Sequence, residues 1–99
     1  MITAELTIIP IGTGDTSLSD YIVAAIKAIE KKNIRCEISG MGTQIETEDL
    51  DDILDAVKAA HEAVLGLDCD RVYTTVKIDD RRDVEKTLKD KVASVKSKL

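Results

Sequence analysis

Two glutamates, Glu5 and Glu46, are the side chains whose positions most directly suggest chemistry. Each lies in a short stretch where apolar and polar residues alternate, which is the period-two pattern of a β-strand. Neighbouring strands lie ~4.8 Å apart, so carboxylates on two adjacent strands come close together if the register allows it. Two adjacent carboxylates repel, and they become reasonable beneath a cationic ligand or a basic side chain of another subunit. A solvated mixed-charge face or a subunit interface is the alternative.

A glycine-rich turn is the next candidate. Gly12, Thr13 and Gly14 precede a predicted helix, which suggests a phosphate-binding loop. Ser17 replaces the third glycine of the GxGxxG pattern, however, and Asp15 would repel an anion. The turn is therefore a weak motif for phosphate binding.

Catalytic residues are not predicted. His61 is the only histidine, and it lies on or beside the apolar stripe of a predicted helix, which favours a packed histidine over a catalytic base. An enzyme of the acylphosphatase type would need an arginine in the loop after the first strand, and residues 10–17 contain none. No nucleophile is paired with a base, so the sequence predicts a protein that is not an enzyme.

The cysteines and the paired arginines favour structural roles. Cys36 and Cys69 lack CxxC spacing and a nearby histidine pair, so no metal site is predicted, and Cys36 is expected to be a small buried residue. Arg81 and Arg82 could grip a phosphate. The aspartates around them favour capping and ion pairing instead: Asp79, Asp80 and Asp83.

Composition limits the class of protein. The 99 residues, 43% of them hydrophobic, predict one domain over residues 1–99. The chain has no Trp, no Phe and a net charge of −5, which argues against nucleic-acid binding. We also expect no membrane partner, because no segment approaches the ~20 apolar residues that span a bilayer, and the N-terminus does not resemble a signal peptide. A cytoplasmic location is the expectation.

The pattern predicts four strands and three helices. The strands are residues 2–10, 35–39, 43–47 and 71–79, and the helices are residues 17–32, 48–65 and a third after residue 83. Ser17 is expected to cap the first helix, which Asn33 ends, and Thr47 is expected to cap the second. The third helix has a narrow apolar stripe that needs a surface to pack on: Val84, Leu88, Val92, Val95 and Leu99.

This order, βαββαβ with an extra C-terminal helix, predicts an α+β, ferredoxin-like sandwich with a four-stranded antiparallel sheet. Strands one and three are expected to be central, with both long helices on one face. That inner face should bury Cys36, Ile38, Val72, Thr74, Val76 and Ile78. The opposite face is expected to be bare, with polar residues on it: Thr3, Glu5, Thr7, Arg35, Glu37, Ser39, Gln44, Glu46, Arg71, Tyr73, Thr75 and Lys77.

Three segments resemble the YkoF-like thiamine-binding family, small ferredoxin-like proteins long known only as an uncharacterised family. They are residues 9–14 with 17–21, residues 37–46 and residues 70–83. The resemblance covers essentially the whole chain and is strongest to archaeal single-domain members. The hairpin Gly-Met-Gly-Thr followed by a glutamate, in residues 40–46, is its most specific part.

The resemblance implies a non-catalytic protein that binds thiamine, or its hydroxymethylpyrimidine moiety, in a polar pocket near strands and subunit contacts. It also implies a homo-oligomer, a tetramer built from dimers, and no cofactor. The ligand-binding residues it implies are Thr13, Ser17, Ser19, Met41, Gly42, Thr43 and Glu46. Glu5 joins them because its carboxylate suits the thiazolium cation. The alternative is a structural or regulatory homo-oligomeric module without a thiamine ligand.

Overall fold

A four-stranded antiparallel sheet and three helices make up the fold. The computed structural model describes all residues, 1–99. In chain order, the elements are β1 (Ile2–Ile11), α1 (Ser19–Glu30), β2 (Cys36–Ile38), β3 (Thr43–Thr47), α2 (Leu50–Leu65), β4 (Arg71–Asp80) and α3 (Leu88–Lys96). The strand order is β2-β3-β1-β4, with every neighbouring pair antiparallel. The predicted ferredoxin-like α+β fold, with strands one and three central, is confirmed.

The core lies between the sheet and the helices α1 and α2, on what we call the inner face. Small residues of the two helices, Ala25, Ala56 and Ala60, are buried and let the helices approach the sheet closely. Each large core side chain stabilises the fold by about 1.5–3 kcal/mol when fully buried. The remaining core residues are Ile2, Ala4, Leu6, Ile8, Ile29, Ile45, Ile53 and Val64.

β1 continues through Pro10, where the sequence predicted its end. A proline removes a ladder donor, which is costly in a strand paired on both sides. The β1–β3 pairing ends at Leu6 opposite Thr43, whereas the β1–β4 pairing continues to Ile11 opposite Arg71. Pro10 is tolerated because β1 has only one neighbour at that point.

α1 begins two residues later than predicted. Leu18, not Ser17, occupies the N-cap position, and no side chain caps the helix. The loop before it is held instead by Asp15, whose Oδ1 accepts a hydrogen bond from the Ser17 backbone N–H at 2.9 Å. Asn33 follows the helix with φ 58°, the left-handed conformation expected of a residue that closes a helix.

α2 is capped by Asp49, and the predicted cap, Thr47, is wrong. The Asp49 Oδ1 accepts from the Asp51 N–H at 2.9 Å, while the Thr47 hydroxyl donates to the Asp49 carbonyl oxygen at 2.8 Å. Thr47 still belongs to β3 and thus cannot start the helix itself. None of the three helices combines the length and the apolar character that crossing a membrane requires.

The face opposite the core, which we call the outer face, is not bare as predicted. The start of α3 lies against it, because the Leu88 N–H donates to the Glu46 Oε2 at 3.1 Å and the Lys91 ammonium pairs with the Asp79 carboxylate. Thr3 and Glu46 are consequently buried. The physical reason is that the first turn of a helix has unpaired N–H groups and a positive end, which a carboxylate satisfies.

Several apolar side chains stay exposed at the margins of the fold. Val76 and Ile78 point to the inner face, as predicted, opposite Leu6 and Ala4, but they are 36% and 40% exposed. Ile38 of β2 is 72% exposed. The predicted burial of these three residues is wrong, because α1 and α2 do not extend over the edge strands at these positions. The α3 stripe is likewise exposed beyond Leu88, at Val92 and Val95.

Candidate functional site

The sheet register separates the two glutamates. Glu5 lies opposite Gln44 on β3 and Lys77 on β4, whereas Glu46 lies opposite Thr3. Glu5 and Glu46 are therefore diagonal neighbours, which in an antiparallel pair are roughly 7–8 Å apart. The register does not place the two carboxylates side by side beneath one cation, and each finds its own basic partner within the chain.

Glu5 is a partly exposed anion. Its Oε2 accepts from the Gln44 Nε2 at 3.2 Å, and its Oε1 lies 3.3 Å from the Lys77 Nζ. The hydrogen bond from Gln44, and then the hydrogen bond and charge of Lys77, lower the pKa of this carboxyl group. Glu5 is thus ionised at neutral pH, and because each carboxylate oxygen has two lone pairs, it keeps capacity for a further partner.

The Glu46 carboxylate is engaged by structural partners within the chain. Its Oε1 lies 2.9 Å from Arg35 Nη1, while its Oε2 accepts the Leu88 N–H described above, and the carboxylate is buried. Arg35 also donates from Nη2 to the Glu37 Oε1 at 3.0 Å. One carboxylate therefore joins the entry to β2, the middle of β3 and the start of α3.

The β2–β3 hairpin is held by its serine. The Ser39 N–H and hydroxyl both donate to the Gly42 carbonyl oxygen, at 3.0 and 2.7 Å, and the Thr7 hydroxyl donates to the Met41 carbonyl oxygen at 3.4 Å. The backbone N–H groups of Gly40, Met41 and Gly42 have no acceptor within the chain. The hairpin therefore presents three backbone donors, and Met41 projects into solvent with 87% of its surface exposed.

A cleft of about 300 Å³ lies between this hairpin, β1 and the start of α1, and we call it the hairpin cleft. This volume is at the lower end of the range for small-molecule sites. Its floor is apolar and its rim carries the hydroxyls of Thr7 and Ser39. The lining residues are Leu6, Thr7, Ile8, Ile9, Leu18, Ile22, Ser39, Gly40, Met41, Gly42 and Thr43.

Glu5 adjoins the hairpin cleft through Gly42. A Cβ placed on Gly42 would lie 3.0 Å from the Glu5 Cγ, so the backbone of the hairpin touches the glutamate side chain. Glu5 also lines a second depression of about 290 Å³ on the outer face, next to Lys77 and Leu88. The structure therefore brings together four predicted site residues: Glu5, Met41, Gly42 and Thr43.

The predicted loop residues do not line the hairpin cleft. The Thr13 hydroxyl donates to the Asp15 carbonyl oxygen at 3.1 Å, and the hydroxyls of Ser17 and Ser19 lie 3.3 Å apart. Their polar groups are engaged within the loop, although Leu18 between the two serines does line the cleft. Their assignment to a ligand remains a prediction, as does that of Glu46.

Sequence reasoning missed Thr7 and Leu18 as cleft residues. Thr7 was placed correctly on the outer face, and its proximity to Met41 follows only from the position of the hairpin. Leu18 lies at the N-cap position of α1. The sequence does not indicate that an apolar residue at the start of a helix lies next to a glycine-rich hairpin in the folded protein.

Groups with catalytic potential have structural partners. The His61 Nδ1 lies 2.6 Å from the Thr74 hydroxyl, between α2 and β4, in agreement with a packed histidine. Burial, and secondarily the Glu30 carboxylate, raise the pKa of the Cys36 thiol, so it is a poor nucleophile at neutral pH. The Cys69 Sγ donates to a backbone carbonyl at 3.3 Å. No cluster of three or more His, Cys, Asp or Glu side chains is arranged to hold a metal.

The two arginines after β4 form local ion pairs, as predicted. Arg81 makes a bidentate contact with Asp83 at 2.7 and 3.0 Å, and Arg82 makes one with Asp80 at 3.1 and 2.8 Å. The aspartates hold the pKa of each guanidinium above its ordinary value. Both arginines are thus occupied within the protomer.

Comparison with known proteins gives a consistent family. Residues 4–96 match the sequence profile of a family described as thiamine-binding protein. A UPF0045 protein of Methanothermobacter thermautotrophicus is 66% identical over 99 residues, which is the whole of both chains. A UPF0045 protein of Methanocaldococcus jannaschii is 44% identical and covers 95% of this chain and 91% of its own.

Solved structures show the same fold. A crystal structure of a hypothetical protein from Methanocaldococcus jannaschii superposes with a TM-score of 0.87 at 43% identity, covering 96% of this chain and 95% of that one. The structure of a Thermotoga maritima protein, described as a putative thiamine biosynthesis/salvage protein, superposes with a TM-score of 0.77 over 95% of this chain and 97% of its own. At 22% identity, the second likeness concerns the fold alone.

Proposed function

Because this chain belongs to the thiamine-binding protein family, we propose that it binds thiamine, or the hydroxymethylpyrimidine moiety of thiamine, at the hairpin cleft and Glu5. The observation that carries the proposal is the contact between Gly42 and Glu5, because it sets an ionised carboxylate beside an apolar cleft with unpaired backbone donors.

The chemistry of the cleft matches the two halves of thiamine. The thiazolium ring carries a fixed positive charge, which a carboxylate such as Glu5 attracts. The aminopyrimidine ring has both donors and acceptors, which suit the hairpin N–H groups and the hydroxyls of Thr7 and Ser39. The apolar floor contacts the faces of the rings.

Met41 supplies the adaptable contact in this proposal. No aromatic side chain lines the hairpin cleft, so ring stacking on Phe, Tyr or Trp is not available there. A thioether on a flexible side chain makes favourable contacts with aromatic rings. The exposed Met41 can fold over a bound ring without displacing any core residue.

Binding without catalysis is part of the proposal. The thiol of Cys36 is held neutral, and the imidazole of His61 is engaged by Thr74. Neither group lines the hairpin cleft. Nothing in the cleft pairs a nucleophile with a base.

We further propose that the protein acts as a cytoplasmic homo-oligomer, a tetramer built from two dimers, in which a neighbouring subunit completes the binding site. Met41, which lines the hairpin cleft, is exposed to solvent, and exposed apolar residues at β4 and α3 offer surfaces for association. A structural or regulatory oligomer without a ligand is the alternative, favoured by the exposed valines of α3.

Isothermal titration calorimetry tests the proposal. Thiamine and hydroxymethylpyrimidine should each give saturable binding to the native protein. Glu5→Gln should weaken thiamine binding at least tenfold, about 1.4 kcal/mol, and should affect the pyrimidine less, since it lacks the thiazolium charge. Glu62→Gln, on the exposed side of α2, is the matched control and should bind normally. If neither compound binds at millimolar concentration while the oligomer is intact, the result favours the structural or regulatory oligomer without a ligand.

A further inference from the structure

The two edges of the sheet differ greatly in length. β2, at one edge, has three residues, whereas β4, at the other, has ten and pairs only with β1. An edge strand presents a row of unpaired N–H and C=O groups, and proteins normally shorten, charge or cover such edges. The edge at β4 is long and regular, and no element of the chain pairs with β4 on the side away from β1.

The sequence of β4 is complementary to itself. When two copies pair antiparallel about a two-fold axis at Thr75, Arg71 faces the oppositely charged Asp79 on the outer face and Val72 faces Ile78 on the inner face. The facing pairs are Arg71 with Asp79, Val72 with Ile78, Tyr73 with Lys77, Thr74 with Val76, and Thr75 with itself. Opposite-charge and aromatic pairs across strands are stabilising, and the Tyr73 ring can receive the ammonium of Lys77.

Neighbouring registers are less favourable. An axis at Thr74 sets Arg71 opposite Lys77, which brings like charges together. An axis at Val76 sets Val72 opposite Asp80, which places a carboxylate against an apolar residue. The side chains therefore single out the register centred on Thr75.

We propose that β4 joins two copies of this chain into one continuous antiparallel sheet, with the two-fold axis at Thr75. This inference deepens the proposed homo-oligomer by naming the surface and the register of one of its contacts. The partner is a second copy of this chain.

Burial supports a second copy as the occupant. Val76 and Ile78 are exposed on the inner face, while Val72 and Thr74 are half-buried, with Val72 packed on the core and Thr74 bonded to His61 of α2. The pairing sets Val76 beside the partner's Thr74 and Ile78 beside the partner's Val72. The uncovered half of each strand thus meets the covered half of the other.

Charge supports the same arrangement. Arg71 makes no ion pair within the protomer. Asp79 pairs with Lys91 yet remains largely exposed, so it can also accept the partner's Arg71. Lys77 contacts Glu5, and its exposed ammonium can reach the partner's Tyr73.

Disulfide trapping tests the register. In a chain carrying Cys36→Ser and Cys69→Ser, Thr75→Cys should form a covalent dimer under mild oxidation, because the two thiols face each other across the axis. Tyr73→Cys is the control, on the same exposed face but roughly 14 Å from its own copy in this register. On its own, the Tyr73→Cys chain should form a disulfide-linked dimer at least tenfold more slowly than the Thr75→Cys chain. A mixture of Tyr73→Cys and Lys77→Cys chains should form a disulfide-linked dimer rapidly.

Light scattering of the native chain distinguishes failure of the β4 contact from failure of the proposed oligomer as a whole. A native oligomer in which Thr75→Cys reacts no faster than Tyr73→Cys, with unchanged circular dichroism, would overturn this inference and leave the proposed ligand binding and oligomer intact. A native chain that is monomeric at micromolar concentration would overturn both the β4 contact and the oligomer, and calorimetry would still report on the ligand. Arg71→Asp should raise the dimer dissociation constant at least tenfold.

Discussion

Gly42 and Glu5 are in contact across the β3–β1 pair. A methyl group at position 42 would lie 3.0 Å from the Glu5 Cγ, 3.2 Å from its Cδ and 3.3 Å from the Leu6 carbonyl oxygen. Gly42 does not adopt a left-handed conformation, so the need for glycine here is one of space. The hairpin can approach β1 this closely only because residue 42 has no side chain.

Gly42→Ala should therefore disturb the candidate site. The Glu5 side chain can shift, but the Leu6 carbonyl is fixed in the sheet, so we expect a loss of about 1 kcal/mol in the free energy of unfolding. We also expect weaker thiamine binding, because the shifted carboxylate loses its contact with Gln44. Urea denaturation and calorimetry measure the two effects. Gly40→Ala is the control, since a Cβ there meets nothing within 4 Å, and equal effects at both positions would contradict the steric argument.

Glu46→Gln should loosen α3 from the sheet. The substitution removes the charge that binds both the Leu88 N–H and Arg35, and hydrogen bonds to a buried charged group contribute about 1.5–3 kcal/mol. Chemical denaturation should show a loss of that size, and trypsin should cleave the lysines of α3 faster.

The matched control is Glu37→Gln, which changes the exposed partner of the same arginine. An exposed ion pair contributes at most about 1 kcal/mol, so this variant should differ little from the native protein. If the two variants lost equal stability, Glu46 would not be the anchor of α3.

The pKa of Glu5 predicts a pH dependence. Gln44 and then Lys77 hold this pKa below its ordinary value of 4.5. The folded-state pKa is lower than the unfolded one, so the stabilisation by Glu5 is complete above the unfolded value and is lost as the pH falls through the folded value. The proposed thiamine affinity should accordingly stay constant from pH 8 to about pH 5 and decline only at lower pH.

Carboxyl NMR titration measures the pKa of Glu5. Gln44→Leu and Lys77→Met should each raise the pKa of Glu5 towards its ordinary value, because each removes a group that stabilises the carboxylate. In Glu5→Gln, the decline of thiamine affinity below about pH 5 should be smaller than in the native protein. An unchanged titration of Glu5 in both variants would remove the basis for assigning it as the anionic group of the site.

The sheet and its core follow closely from the sequence. β3 begins and ends where the alternation predicts, and α2 ends at Leu65 before Gly66, because alternation and helix termination are local properties. The exact caps were missed where two residues compete. Thr47 and Asp49 are both good caps, and only the extent of β3 decides between them.

The position of α3 and the setting of Glu5 depend on distant contacts. The Leu88 N–H and the Glu46 carboxylate are 42 residues apart in sequence, and no local pattern reports that they meet. Likewise, Gln44 and Lys77 become partners of Glu5 only through the register of two strand pairs. The residue types of the candidate site could be predicted, but their combination could not.

The shortness of β2 limits how far the sheet can grow. If copies of this chain pair only along β4, each copy has one edge strand available for pairing, and the two-fold dimer occupies that edge. A chain with long strands at both margins would instead propagate into a filament. In the proposed β4 pairing, the three-residue β2 therefore ends the growth of the sheet at two copies.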